Sequence, residues 1–156
     1  MPDMLVKLYT LPATNIITEA LKNDGIEVRH PLPPEKHILI DWVRNNFGQG
    51  WASECEITFS NLPVSSYIAV KDNTILGFAS YNATCKNFFG PTGVCEKSRR
   101  TGIGTALLLK SLEALREDGY AYAIIGGVGP AEFYQKVAGA TIIADSAPGI
   151  YKGLLK

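Results

Sequence analysis

Residues 99–109, with the sequence RRTGIGTALLL, constrain the fold of this chain more than any other stretch. The basic pair Arg99 and Arg100 runs into two glycines, Gly102 and Gly104, and an apolar helix begins at once. A glycine turn that opens a helix presents backbone N–H groups without partners, at the positive end of the helix dipole. The sequence therefore predicts a turn that binds an anion, most often a phosphate or pyrophosphate.

The bulk composition limits the class of protein. The chain has 156 residues, of which 46% are hydrophobic, enough for the core of one domain. Its 15 basic and 15 acidic residues balance, so no global field favours nucleic acid or an anionic membrane, and an anion site has to be local. The longest apolar run, around residues 121–131, is too short to span a membrane. The first residues lack the basic and apolar regions of a signal peptide.

The three cysteines, Cys55, Cys85 and Cys95, are odd in number and far apart. This spacing argues against a disulfide framework and against a zinc site, and we expect reduced thiols in a cytoplasmic protein. A catalytic cysteine requires a neighbouring histidine, and the sequence places neither His30 nor His37 beside Cys95.

Apolar periodicity and glycine or proline breakers predict an α/β (α+β) fold with a mixed sheet. Strands are predicted at residues 5–9, 26–30, 66–70, 75–81, 87–95, 120–126, 141–144 and 150–154. Helices are predicted at residues 15–23, 33–47, 51–59, 102–117 and 131–137. Gly90, Pro91 and Gly93 interrupt the strand at 87–95, so it should bend or splay from a neighbour.

The turn at residues 99–104 follows a predicted strand that ends in Val94. Downstream, a strand leads to a helix that carries Phe133-Tyr134-Gln135-Lys136, with Gly139 after it. This combination resembles the GNAT superfamily of acetyl-CoA-dependent N-acetyltransferases. Residues 88–94 and 122–130 also resemble a subgroup whose related domains occur alone or fused to sugar-processing hydrolases.

Two rival phosphate-binding motifs do not fit the same turn. A dinucleotide-binding turn would need a third glycine where this chain has Leu107, and the Gly-Lys-Ser/Thr of a P-loop is absent.

The resemblance covers roughly residues 26–155. It implies one GNAT-like domain over residues 1–156, with a core at 26–155 and an N-terminal strand–helix addition at 1–25. The implied sheet is mixed, mostly antiparallel and flanked by helices, with a splayed strand pair that binds the cofactor.

The resemblance implies acetyl-CoA as cosubstrate and no metal. Backbone N–H groups of residues 100–105 would hold the pyrophosphate, and a bent strand would offer the pantetheine arm an open edge to pair with. A backbone N–H near Val94 would polarise the acetyl carbonyl. The expected cofactor-binding residues are Val94, Cys95, Arg99, Arg100, Thr101, Gly102, Ile103, Gly104 and Thr105.

Tyr134 stands where the family often keeps a general acid, which would protonate the leaving thiolate of coenzyme A. The alternative is a packed aromatic on the apolar stripe of its helix. The strand at 87–94 carries no carboxylate, so Glu54 is the candidate base, with a solvated helix face as its alternative. His30, His37, water held by backbone carbonyls and an amine that arrives neutral stay open.

Two departures from the family pattern fall in the second acyl-CoA motif of the family, to which Phe133-Tyr134-Gln135-Lys136 is similar. Gly127 stands where the family often has asparagine, and Gly139-Ala140 falls one residue late of its glycine–aromatic pair.

The resemblance implies a cytoplasmic enzyme that acetylates a primary amine by direct attack in a ternary complex. The expected acceptor is a small molecule, an amino sugar, an amino acid or a polyamine, or else a peptide terminus; neither nucleic acid nor a membrane is an expected partner. The candidate acceptor residues are Trp51, Glu54, Phe59, Phe88 and Phe89. The alternative is a non-catalytic acyl-CoA-binding regulatory or interaction module. Exposed sheet edges, which are commonly paired or covered, are compatible with a homodimer.

Overall fold

The computed structural model of the protein describes all 156 residues, with seven strands and five α-helices. The strands are β1 (Met4–Lys7), β2 (Glu27–Arg29), β3 (Ser66–Lys71), β4 (Thr74–Tyr81), β5 (Phe88–Val94), β6 (Tyr122–Ile125) and β7 (Thr141–Ile142). The helices are α1 (Asn15–Asn23), α2 (Lys36–Phe47), α3 (Gln49–Ile57), α4 (Ile103–Glu117) and α5 (Ala131–Ala138). No helix combines the length and the apolar character that a membrane crossing requires.

All seven strands belong to one sheet, in the order β2-β3-β4-β5-β6-β1-β7. Every neighbouring pair is antiparallel except β5 and β6, which are parallel. The mixed, mostly antiparallel sheet that the family resemblance implies is therefore confirmed. The parallel pair is joined through α4, because parallel neighbours need a crossover connection.

Side-chain alternation along the strands divides the core into two layers. Phe78 of β4 lies in a cluster with buried residues of α2 and α3, whereas its neighbour Ala79 lies in the cluster that contains the buried face of α4. In α4 the apolar residues recur at helical spacing, and both Leu107 and Leu112 are fully buried. Burying one such leucine stabilises the fold by roughly 1.5–3 kcal/mol, which fixes α4 and the turn before it against the sheet.

The β5–β6 ladder stops almost as soon as it starts. Only Phe88 and Phe89 of β5 pair with β6, and the five residues from Gly90 to Val94 have no partner on that side. The strand bends there because Gly90 takes a φ of +121° and Pro91 has no N–H to donate. This confirms the predicted splay and leaves one edge of β5 open.

The predicted strand at residues 150–154 is wrong. Residues Gly149–Tyr151 form a 3-10 turn, and the residues after it form no strand. The reason lies in the sheet: β1 pairs with β6 on one side and β7 on the other, so it occupies the position between them.

The first 25 residues are packed into this sheet and onto α4. Met4 and Val6 of β1 and the following Leu8 are completely buried, and Thr14, just before α1, donates a 2.9 Å hydrogen bond to Glu113 of α4. The division into a core at 26–155 and an addition at 1–25 stays a prediction.

Deletion of residues 1–25 tests that division. Loss of four buried apolar side chains, those of Met4, Val6, Leu8 and Leu21, costs roughly 6–12 kcal/mol, as much as the whole stability of many domains. We therefore expect the shortened chain to lose cooperative thermal unfolding, as followed by circular dichroism. Replacing Lys7, the exposed residue of β1, with alanine should leave the midpoint within a few degrees. A shortened chain that melts cooperatively at the full-length midpoint would contradict the expectation.

Candidate functional site

The turn before α4 and the first turn of α4 together carry six consecutive backbone N–H groups without a partner in the protein. None of the N–H groups of residues 100–105 donates a hydrogen bond, and the first to do so is that of Ala106, to the Gly102 carbonyl at 3.0 Å. Arg100 and Gly102 both take positive φ angles, +66° and +91°. Residues with positive φ angles make successive N–H groups point towards one concave site, called a nest. This nest lies at the positive end of the α4 dipole. The turn therefore has the geometry of an anion-binding nest.

Gly102 is required at this turn for two reasons. Its φ of +91° is strained for any residue with a side chain. A Cβ at this position would also lie 2.7 Å from Cδ1 of Ile17, so α1 packs directly against the turn.

The two arginines bring uncompensated positive charge to the same place. Arg99 and Arg100 are exposed, and neither is within ion-pair distance of a carboxylate. The Nε of Arg99 donates to the Val94 carbonyl at 3.2 Å, and Thr101 Oγ1 donates to the Ser98 carbonyl at 2.6 Å. The guanidinium groups therefore add charge-assisted donors to the nest.

The open edge of β5 ends next to this turn. The Cys95 N–H donates to the Leu76 carbonyl of β4 at 2.8 Å. Because successive residues of a strand turn their N–H groups to opposite sides, the Val94 N–H points away from β4 and into the gap towards β6. The gap thus offers the N–H of Val94, while that of Cys95 is already bonded to β4.

Gly104 lies between the end of the open edge and α5. A Cβ at Gly104 would lie 3.9 Å both from Cγ2 of Val94 and from Cζ of Phe133 on α5. Because Gly104 has no side chain, the first turn of α4 places no side chain between these two residues at this position. An elongated ligand can place an anionic group on the turn and a polar chain along the edge.

Tyr134 packs where the β5–β6 ladder ends. Its ring is edge-on to Phe89 and to Phe133, with centroid distances of 6.3 and 5.1 Å, and the residue is 6% exposed. Its hydroxyl makes no hydrogen bond within the protein. Burial raises the pKa of Tyr134 to about 12, so the phenol keeps its proton at neutral pH.

An aromatic wall covers the other face of the splayed strand. The Phe47 ring lies so close to Gly93 that a Cβ there would approach its Cε1 to 2.7 Å. Trp51, at the start of α3, stacks on Phe47 with a centroid distance of 5.2 Å and remains 39% exposed. Gly93 thus lets the Phe47 ring lie against β5, with Trp51 stacked on that ring.

Glu54 lies one helical turn further along α3, half-buried. Its Oε1 accepts a 2.8 Å hydrogen bond from the Thr84 hydroxyl, and no lysine, arginine or histidine pairs with it. A carboxylate without a cationic partner at a cleft suits an ammonium group.

Tyr151 completes this face, and the sequence analysis missed it. A Cβ at Gly126, just after β6, would lie 3.5 Å from the Tyr151 hydroxyl and 3.2 Å from Cδ2 of Phe88. Burial first, and then the charge of Glu54, raise the pKa of Tyr151. The signal that could have found it is the Pro148-Gly149 turn immediately before it, which favours a bend over a strand.

The structure separates several other candidates from the gap. Phe89 points to the opposite face from Phe88 and is 2% exposed in the core. His30 stacks on Tyr67 of β3, and its Nδ1 is 2.9 Å from the Ser66 carbonyl, so β4 lies between it and β5. His37 lies in the first turn of α2, about 15 Å along the helix from Phe47. Phe59 follows α3 and packs beneath α2 and α3.

No three histidine, cysteine, aspartate or glutamate side chains are grouped so that they could hold a metal ion. Surface cavities of about 530 and 550 Å³ lie beside β2, and none of residues 99–105 lines either cavity.

Comparison with known sequences places most of the chain in one family. The model of the Acetyltransferase (GNAT) family matches residues 36–140. No curated protein matches the chain.

Two solved structures share the fold over 91% of this chain. One contains a GCN5-related glucosamine N-acetyltransferase region of a fungal multi-domain GH3 beta-N-acetylglucosaminidase, with a TM-score of 0.73 and 15% identity, covering 19% of that chain. The other is a GCN5-related N-acetyltransferase from Sphaerobacter thermophilus, with a TM-score of 0.66 and 19% identity, covering 48% of that chain. This chain spans less than half the length of either protein.

Proposed function

The chain belongs to the Acetyltransferase (GNAT) family, and we propose that it is an N-acetyltransferase that moves the acetyl group of acetyl-CoA to a primary amine of a small molecule. The observation that carries the proposal is the placement of the six free N–H groups of residues 100–105 next to the open edge of β5, with Gly104 beside Val94. Coenzyme A has matching parts, a pyrophosphate followed by an amide-bearing pantetheine arm.

In the proposed complex the pyrophosphate accepts hydrogen bonds from the N–H groups of residues 100–105. Arg99 and Arg100 neutralise its charge. If Arg99 turns to the phosphate, it releases the Val94 carbonyl. The pantetheine amides can then pair with the open edge of β5 as an added strand would.

The acetyl transfer needs no covalent enzyme intermediate. The amine nitrogen attacks the acetyl carbon, a C–N bond forms, and the carbonyl oxygen becomes an oxyanion that the Val94 N–H stabilises. Collapse of this intermediate breaks the C–S bond and releases the thiolate of coenzyme A. Tyr134 donates its proton to the thiolate and recovers one from water, and the proton lost by the amine passes to Glu54. A phenol with a pKa of about 12 holds its proton firmly and is a weak acid.

The acceptor enters from the α3 face in this proposal. Glu54 binds the ammonium group, and the rings of Trp51, Phe88 and Tyr151 pack against the body of the acceptor. Aromatic faces and one carboxylate suit an amino sugar, and the fungal region of similar fold is named for glucosamine. An amino sugar is therefore the first acceptor to test, before amino acids and polyamines. Free cysteines favour the cytoplasm as the place of the reaction.

A second candidate function is an acyl-CoA-binding module without turnover. It is favoured by β5, which carries no ionisable side chain from Phe88 to Val94, and by the weak acidity of Tyr134. Incubating the protein with acetyl-CoA and a panel of glucosamine, amino acids and spermidine separates the two. Free thiol and acetylated product support the enzyme. Calorimetric binding of acetyl-CoA without thiol release favours the module, and absence of binding contradicts both.

Replacing Gly104 with alanine tests the cofactor path. The new methyl group meets nothing closer than 3.9 Å, so the fold should be kept, but it enters the space between Val94 and Phe133 that the ligand is proposed to use. We expect the Kd for acetyl-CoA to rise about 10-fold, equivalent to about 1.4 kcal/mol, when measured by calorimetry. Gly50→Ala, at an open position of α3, is the control. An unchanged Kd for Gly104→Ala would contradict the path.

Replacing Tyr134 with phenylalanine tests the acid. The ring packing stays and only the unbonded hydroxyl is lost, so the Kd for acetyl-CoA should not change. Loss of a general acid should lower kcat by about 100-fold or more, measured as thiol release at saturating substrates. Tyr122→Phe, which removes an exposed hydroxyl at the other end of β6, controls for general effects. Full turnover by Tyr134→Phe would leave the tyrosine as a packed aromatic.

Replacing Glu54 with glutamine tests the acceptor carboxylate. Glutamine keeps an oxygen for the Thr84 hydroxyl but has no charge for an ammonium group. We expect kcat/KM for the amine to fall about 10-fold or more, with the KM for acetyl-CoA within about twofold of wild type. Glu56→Gln on the same helix, which breaks only the exposed ion pair with Lys36, should have little effect. Equal kinetics for both variants would remove Glu54 from the site.

A further inference from the structure

Asp3, just before β1, is bonded to separate segments at the end of the sheet. Its Oδ1 accepts a 2.8 Å hydrogen bond from the Gly127 N–H. Its own N–H donates to the Ser146 hydroxyl at 2.8 Å, and its carbonyl accepts from the Ile143 N–H at 2.9 Å. The start of β1 therefore ties the loop after β6 to the segment after β7.

The second carboxylate oxygen of Asp3 faces the turn that carries Tyr151. A Cβ at Gly149 would lie 3.3 Å from Asp3 Oδ2, the only atom within 4 Å of that point. No lysine, arginine or histidine is within ion-pair distance of Asp3. The carboxylate thus lies between the loop at 126–130, to which Oδ1 is hydrogen-bonded, and the 3-10 turn Gly149–Tyr151, which Oδ2 approaches at Gly149.

Gly126 and Gly127 form the floor beneath the Tyr151 ring. A Cβ at Gly127 would lie 3.8 Å from Tyr151 Cε2, and one at Gly126 would lie 3.5 Å from its hydroxyl. Two consecutive glycines have the largest conformational freedom of any residue pair, and neither has a side chain that could anchor the loop. The bond from Gly127 to Asp3, continued by the Val128 N–H to the Pro2 carbonyl at 2.9 Å, has to supply that anchor.

We propose that Asp3 is a positioning residue for the acceptor side of the site. Its carboxylate anchors the glycine loop through the Gly127 N–H and lies against Gly149, so that the loop and the turn keep the Tyr151 ring beside Phe88 and Glu54, where an acceptor would pack. The inference rests on the proposed function only in taking the surface formed by Tyr151, Phe88 and Glu54 as the place where the amine binds. It gives residues 1–3 a part in the site that is separate from the contribution of β1 to the core.

Three variants test the inference in the full-length protein. Asp3→Ala removes the bond to Gly127, Asp3→Asn keeps an oxygen that can accept it, and Asp145→Asn removes a neighbouring exposed charge as control. We expect Asp3→Ala to raise the acceptor KM about 10-fold, since small misplacements at a site cost this much or more, with the acetyl-CoA KM unchanged. Asp3→Asn should restore most of the affinity, and Asp145→Asn should match wild type.

A double-mutant cycle checks that Asp3 acts through Tyr151. If it does, adding Asp3→Ala to Tyr151→Ala should raise the acceptor KM no further than Tyr151→Ala alone. Additive effects would overturn the inference, and so would an equal rise in both KM values for Asp3→Ala. If Asp3→Ala does not fold, Gly149→Ala disturbs the same contact without altering β1 and should raise the acceptor KM alone.

Amide hydrogen exchange gives a readout that needs no turnover. Exchange at Gly127 should accelerate at least about 10-fold in Asp3→Ala, and stay near wild type in Asp3→Asn, because local opening removes the protection of the bonded amide. Unchanged exchange at Gly127 in Asp3→Ala overturns the positioning role. A wild-type protein that acetylates no amine, but whose Gly127 exchange responds in this way, would instead overturn the proposed function.

Discussion

Hydrogen bonding between β5 and β6 ends early, and the resulting opening between the two strands is the feature around which the candidate site is arranged. Two residue pairs hold the strands together, and then the conformation of Gly90 and the missing N–H of Pro91 turn β5 away. A backbone edge left unpaired inside a domain would normally be costly, unless it faces water or a ligand. The neighbouring elements are arranged around this opening: the turn at residues 99–105 at one end, Tyr134 at the other, and the rings of Phe47 and Trp51 across the opposite face.

Local sequence patterns were sufficient for the elements that build the proposed acetyl-CoA half of the site. The two-glycine turn, the apolar spacing that follows Ile103, and the glycines and proline within β5 are all features of neighbouring residues, and each has one physical interpretation. The free N–H groups before α4 follow from the same local chemistry, because a helix start without a side-chain cap leaves its first amides unbonded. For this reason the splay and the helix were predicted close to their observed positions.

The acceptor half could not be predicted in the same way, because contacts between distant residues form it. The Pro148-Gly149 turn indicates a bend before Tyr151, but no neighbouring residue indicates that its ring will lie over Gly126 and Gly127, and its apolar neighbours favoured a strand. The position between β6 and β7 was already taken by β1, a fact that depends on pairing across more than 100 residues. Glu54 illustrates the same limit, since its helix pattern is the same whether its carboxylate faces bulk water or Thr84.

The place of β1 in the sheet has a consequence for how the molecule assembles. Asp3 and Gly127, which bond to each other, are 124 residues apart in the chain, so the first strand finds its partners only after nearly all of the domain has been synthesised. Loops that close over such distances slow folding, and during synthesis on the ribosome the apolar face of β1 has to remain unpaired for that time. The glycine loop and its tyrosine can therefore be ordered only in the final step of folding, whereas the helix that bears the anion turn can form from local contacts well before it.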